Sequence, residues 1–180
     1  MTARRLASKG VSADLSLVTS EQAPLRLFGR KASSEVAALL ARASIELRTS
    51  KHVERVVDGS LILVPADSLP AQRVVAAPRL SGRRVAGLPS DPNGFLRTNG
   101  FGLVDQSDDV YAAGDITSFP VKQGGIATQQ ADAAASSIAA RFGAEVEPTP
   151  FRPVLRGLML SGEGPIAGSN PAPATSGCCK

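Results

Sequence analysis

Asp109-Val110-Tyr111-Ala112-Ala113-Gly114-Asp115 is a short apolar run that ends directly in a Gly-Asp pair. At the carboxyl end of a buried strand, a glycine lets a phosphate or sugar approach the backbone, and an aspartate there accepts hydrogen bonds from hydroxyl groups. Alone, a Gly-Asp pair is equally a simple turn. Here it is followed by Lys122-Gln123-Gly124-Gly125-Ile126-Ala127, a glycine-rich start to a helix whose free N–H groups and positive dipole end favour anionic groups. Together the two segments describe an anion- and polyol-binding site on a strand, a turn and a helix. The alternative is a turn aspartate beside an ordinarily capped helix.

Downstream of this stretch the pattern predicts a long helix from about Gly124 to Arg141, ended by Gly143. Upstream, Phe101–Val104 and Asp109–Ala112 read as short strands, and Pro78 to Gly94 is rich in proline and glycine, marking a linker or crossover with a domain boundary near Pro78. Gln72–Ala77 is a further strand candidate. Ile45–Arg48, Val53–Val57 and Ser60–Val64, the last after the turn signal Asp58-Gly59, suggest a small antiparallel meander. Ser33-Ser34 can cap a helix with Val36, Leu39, Leu40 and Ala43 on one face. Ala13–Thr19, with Leu15, Leu17 and Val18, has the near-continuous apolar character of a buried parallel strand, and Ala3–Lys9 reads as a helix stopped by Gly10. Ser161 to Lys180 is Gly/Pro/Ser/Ala-rich without periodicity and is expected to be disordered.

The chain has 180 residues, 43% hydrophobic and 20% charged, enough to fold around a core of normal size. Aromatic residues are only 4%, with no Trp and one Tyr, which favours α/β over a β-sandwich. The net charge of +4 comes from scattered basic residues, so a nucleic-acid module rests on charge alone and is excluded from the leading readings. No apolar run approaches a membrane span and no signal-peptide core follows Arg5, which reads as a cytoplasmic chain. Cys178 and Cys179 are adjacent and cannot staple distant segments. His52, the only histidine, has no neighbouring carboxylate or nucleophile motif and reads as a surface residue.

The run DVYAAGDITSFPVKQGGIATQQADAAASSIAA resembles the second flavin-binding motif of the two-dinucleotide-domain flavoproteins, the pyridine nucleotide-disulphide oxidoreductase superfamily. Within it, Lys122-Gln123-Gly124-Gly125 and Gln129-Gln130-Ala131-Asp132 are most similar to type II NADH dehydrogenases and sulfide:quinone reductase-like proteins, and LVTSEQAPLRLFG and PFRPVLRGLML extend the likeness over most of residues 1 to 160. The resemblance implies a partial Rossmann-like α/β flavoprotein fold: residues 1–78 as part of an NAD(P)-binding domain, 79–143 as the C-terminal part of an FAD-binding domain, and 144–160 as the start of an interface domain. It implies that Gly114 and Asp115 approach the pyrophosphate of FAD, with Asp115 on the ribityl chain. Gly125, Ile126 and Ala127 begin the helix under the flavin, the last two presenting N–H groups to flavin N1 and O2. Lys122 either adds a positive charge at that edge or is an ordinary solvated lysine. Only one of Gln129 and Gln130 can face the ring; the resemblance points to Gln129, on the quinone side. Glu21, after the first strand, stands where a Rossmann acid binds the ribose of NAD, though a Glu there is also an ordinary surface residue. Arg26 and Arg30 leave NADP open.

Counting back about 20 residues from Glu21 reaches Met1, and no G-x-G-x-x-G occurs, so both N-terminal glycine loops of the resembled fold are lacking. Nor is there a Cys-x4-Cys pair, which excludes a disulphide reductase mechanism in this chain. The expectation is a C-terminal fragment of an enzyme passing hydride from NAD(P)H to FAD and on to a quinone or other acceptor, completed by a second polypeptide and peripheral to the membrane in its completed form. The competing expectation is a non-catalytic remnant or interaction subunit that binds no flavin on its own. On either view the edge beside Ala13 lacks a neighbouring strand, and the isolated chain should carry little FAD and tend to aggregate.

Overall fold

The computed structural model describes residues 2–77, 79–160 and 165–171. The chain divides into two compact units, Met1–Ala77 with Arg156–Asn170 and Pro78–Leu155 with Pro171–Lys180. The protein is α/β, with small sheets. Among the described residues, no helix is long and apolar enough to cross a membrane.

In the first unit, helix α1 (Thr2–Ser8) leads through Gly10, at a φ of 67°, to strand β1 (Leu15–Val18). Helix α2 (Gly29–Arg42) then connects to β2 (Ile45–Arg48), which pairs with β1 in parallel, Leu15 opposite Ile45 and Val18 opposite Arg48. α2 buries Ala32, Ser33 and Val36. It begins earlier than the Ser33-Ser34 cap predicted, because a 3-10 turn over Arg26–Phe28 runs straight into it and supplies its first turn without a side-chain cap.

The meander consists of β3 (His52–Val57), β4 (Ser60–Val64) and β5 (Asp67–Pro70), all antiparallel. β3 turns into β4 at Asp58 and Gly59, both at positive φ, 45° and 73°, as a tight hairpin turn requires. Leu61 and Leu63 of β4 point into the core, at 7% and 1% exposure, whereas every residue of β3 is exposed. A register shift between Val53 and Arg55 breaks the β3–β4 ladder. His52 opens β3 on the surface. Two expectations are corrected here. Ile45–Arg48 belongs to the parallel pair and not to the meander, and Gln72–Ala77 is not a strand, its Val75 standing 99% exposed.

In the second unit, helix α3 (Gly124–Arg141) lies where the sequence predicts it, followed by Gly143 at a φ of 85°. The segments expected as strands at Phe101–Val104 and Asp109–Ala112 make only single bridges, Thr98 to Val104 and Leu103 to Tyr111. Side chains take the backbone donors that a ladder would use: Asn99 Oδ1 accepts from Phe101 and Leu103, and Ser107 Oγ from Asp109 and Val110. Leu96, Val104, Ile126 and Leu155, each at most 2% exposed, fill the core of this unit. Gly102 sits under α3, where an added Cβ would be 2.8 Å from that of Ala134.

Strand β6 (Val154–Leu160) pairs with β7 (Pro165–Pro171). Residues 165–171 therefore form a strand within the stretch expected to be disordered. Residues 161–164 and 172–180 of that stretch, the two cysteines included, lie outside the described residues.

Candidate functional site

Gly114 carries a left-handed backbone, φ 79°, because the chain must turn there from the extended Ala113 into a 3-10 turn over Gly114–Ile116. An added Cβ would lie 3.3 Å from the Cβ of Ala127, so α3 packs directly on the turn. Three bonds close it. Gly114 N–H donates to Gln130 Oε1 at 2.8 Å, Gln130 Nε2 donates to Thr117 Oγ1 at 3.2 Å, and the Thr117 hydroxyl donates to the Gly114 carbonyl at 2.8 Å. Thr117 is 1% and Gln130 6% exposed, so this ring of hydrogen bonds is shielded from bulk solvent. Backbone bonds from Leu96 N to Ile116 O and from Ser118 N to Leu96 O hold the turn from the other side. Asp115, between these fixed points, is exposed, and its carboxylate accepts no hydrogen bond among the described residues.

Lys122 lies 4.0 Å over the ring of Phe95, and its ammonium donates to the Thr117 carbonyl. Burial lowers its pKa from 10.5, opposed by the negative charges of Asp115 and then Asp91. It is thus docked on the protein, not extended into water.

At the start of α3, Gln123 acts as N-cap, its Oε1 accepting from Ile126 N at 3.1 Å. Ile126 and Ala127 N–H also donate to the Gln123 carbonyl. Both N–H groups, expected to face a ligand, are thus bonded within the cap. The N–H groups of Gly124 and Gly125 have no acceptor among the described residues, and a Cβ on Gly124 would meet open space.

Gln129, expected on the quinone side, makes three hydrogen bonds within the unit. Its Nε2 donates to the carbonyls of Gly125 and Val154, and its Oε1 accepts from Val154 N at 2.9 Å, so the amide is spent on the first residue of β6. Glu21 belongs to the other unit, where its Oε2 accepts from Leu25 N at 3.2 Å and its carbonyl from Ser50 N. The structure thus brings Gly114, Asp115, Lys122, Gly125, Ile126, Ala127 and Gln129 into one unit around the start of α3. Thr117 escapes the sequence reading, which names Gln130 only as the alternative to Gln129. One signal existed: Ile126, Gln130, Ala133 and Ala134 recur at helical spacing on the buried face, a polar residue in an apolar stripe.

A helix stacked on a Gly-Asp turn, in a chain that also carries a parallel β-α-β segment, defines an α/β protein of the dinucleotide-binding kind. A family model for pyridine nucleotide-disulphide oxidoreductase matches residues 1–136, and the chain belongs to that family. The sulfide:quinone oxidoreductase of Aquifex aeolicus is similar in structure, with a TM-score of 0.79 at 16% identity over 94% of this chain and 49% of that one. An FAD-dependent pyridine nucleotide-disulphide oxidoreductase from Desulfovibrio vulgaris matches at 0.61 and 21% identity, over 93% of this chain and 45% of that one. A NAD-dependent persulfide reductase from A. fulgidus matches at 0.60 and 16%, over 88% and 31%. The chain spans about half the length of the first of these, or less of the others, and the likeness is one of fold. No curated protein matches it.

Proposed function

We propose that this chain contributes the flavin-side turn and helix of an FAD-dependent oxidoreductase that takes reducing equivalents from NAD(P)H to a quinone or another acceptor. Membership of the pyridine nucleotide-disulphide oxidoreductase family supports the class of reaction. The observation that carries the reading is the exposed carboxylate of Asp115, which accepts no hydrogen bond among the described residues, on the Gly114 turn beside the start of α3. Bound there, FAD would supply the hydride and electron chemistry.

The residues fit such a group. Asp115 would accept from a hydroxyl of the ribityl chain, and the missing side chain at Gly114 leaves the backbone open to close approach. The open N–H groups of Gly124 and Gly125 would donate to an electronegative edge, aided by the dipole of α3. Lys122, held over Phe95, would set the positive charge of that edge without contacting the ligand directly. On this reading residues 79–143 belong to the FAD side, 1–78 to the NAD(P) side and 144–160 to the start of an interface domain. Glu21 would accept from the adenosine ribose through its Oε1, its Oε2 being bonded to Leu25 N.

The test is a fluorescence titration of FAD with the full chain and with Asp115→Ala. Loss of a hydrogen bond to a charged group should weaken binding by about tenfold to a hundredfold. Equal affinities would remove Asp115 from the site, and a chain with no saturable flavin binding would favour the non-catalytic reading. If Glu21 selects the nucleotide, a completed enzyme should prefer NADH over NADPH in kcat/KM, since a carboxylate repels a 2′-phosphate.

A further inference from the structure

We infer that Gln130 is the positioning residue of the Gly114–Asp115 turn, holding the Asp115 carboxylate in the direction in which it meets flavin; this rests on the flavin reading above. Among the described residues, Gln130 is the buried side chain that bonds both ends of the turn. Its Oε1 takes the Gly114 N–H at 2.8 Å, and its Nε2 reaches the Thr117 hydroxyl, which in turn bonds the Gly114 carbonyl. A carboxamide is the group that can do this, since it offers an acceptor and a donor side by side. At 6% exposure, bulk water competes poorly for either bond.

The location gives the ring its purpose. Gly114 is the most freely rotating residue of the segment, and its left-handed φ of 79° is one of several conformations a glycine adopts with ease. Asp115 follows it immediately, and its carboxylate accepts no hydrogen bond among the described residues. Whatever fixes Gly114 therefore fixes Asp115. Because Gln130 stands on α3, whose start carries the open N–H groups of Gly124 and Gly125, the same bond couples the Asp115 carboxylate to those donors. Gln129, one residue earlier, cannot do this: its amide is engaged by Val154.

Three variants of the full chain separate positioning from packing: Gln130→Met keeps the volume and removes both bonds, Gln130→Glu keeps the acceptor for Gly114 N–H, and Thr117→Val removes the hydroxyl alone. Two measurements are made, hydrogen exchange at the Gly114 amide by NMR and FAD affinity by fluorescence titration. Positioning predicts Gly114 exchange at least tenfold faster in Gln130→Met, near wild type in Gln130→Glu, and intermediate in Thr117→Val. A packing role predicts the reverse order for Met and Glu. For FAD, Gln130→Met should weaken binding about tenfold, and Gln130→Met with Asp115→Ala should be no weaker than Asp115→Ala alone, since one acts through the other. If Gln130→Glu fails to fold, the Met and Thr117→Val variants decide alone. A wild type that binds FAD, with Gln130→Met unchanged in exchange and affinity or strictly additive with Asp115→Ala, overturns this inference only. A wild type without saturable FAD binding overturns the flavin reading and the role of Gln130 toward flavin with it.

Discussion

Gly114 and Gly102 resist substitution for reasons that differ in size. Both have left-handed backbones, which cost an L-residue about 1–2 kcal/mol. At Gly114 an added Cβ meets Ala127 at 3.3 Å, a contact that a small shift relieves; at Gly102 it meets the Ala134 Cβ at 2.8 Å, where something must move. Gly114→Ala should therefore lose about 1–2 kcal/mol in urea unfolding, and Gly102→Ala visibly more. Lys122 gives a prediction of opposite kind. The folded chain holds its proton more weakly than the unfolded chain, so its contribution to stability rises as pH climbs toward 10.5. Lys122→Met should flatten the alkaline limb of stability against pH, and an unaltered limb would contradict the burial argument. Of this site, the Gly-Asp turn was legible because the pair is followed within ten residues by a glycine-rich helix start. Gln130 was not, because α3 is so rich in alanine that its apolar stripe has little contrast, and the choice between two neighbouring glutamines then depends on a rotation the sequence does not display.

Charge at the level of elements ties the parallel pair to the meander. Glu46 of β2 is lowered from 4.5, first by the hydroxyl of Ser16 across the pair and then by Arg48. Asp67 of β5 is lowered from 3.8, first by the backbone N–H of Ser68, with Arg48 at 3.1 Å and Lys51 at 3.6 Å also favouring its charge. Depressed carboxylates stabilise the fold above their unfolded values and cease to do so as pH falls through the folded ones. The double variant Glu46→Gln, Asp67→Asn should accordingly soften the loss of stability below about pH 4, measured by melts across pH. In the other unit, Gln129→Ala should release Val154 from α3, costing about 1 kcal/mol or more and speeding amide exchange at Val154. The position of α3 was readable from its glycine start and glycine end. The partner of β2 was not: IELR has the same composition whether it joins a parallel pair or a meander, and only the crossover through α2 decides. Val74 and Val75 carry β-branched character without a partner strand, so propensity there met no ladder.

The whole molecule belongs to a family named for disulphide chemistry, yet its only cysteines are Cys178 and Cys179, neighbours in sequence and far along the chain from every residue of the candidate site. Alkylating them should leave FAD affinity unchanged; a loss would mean that the tail takes part. The same scale gives a meaning to the bulge in β3. A six-residue outer strand with Val53, Val56 and Val57 turned to water is the template from which fibrils grow. Past Val53 the strand slips by a residue, and Glu54 and Arg55 stand paired at 2.8 Å. A copy of the chain arriving at that edge finds donors and acceptors out of phase after the first contact, and a charge pair to displace. Smoothing the bulge by one deletion would leave the local hairpin intact and remove the obstacle to templated growth, a change that thioflavin fluorescence on standing would register before any assay of the flavin turn.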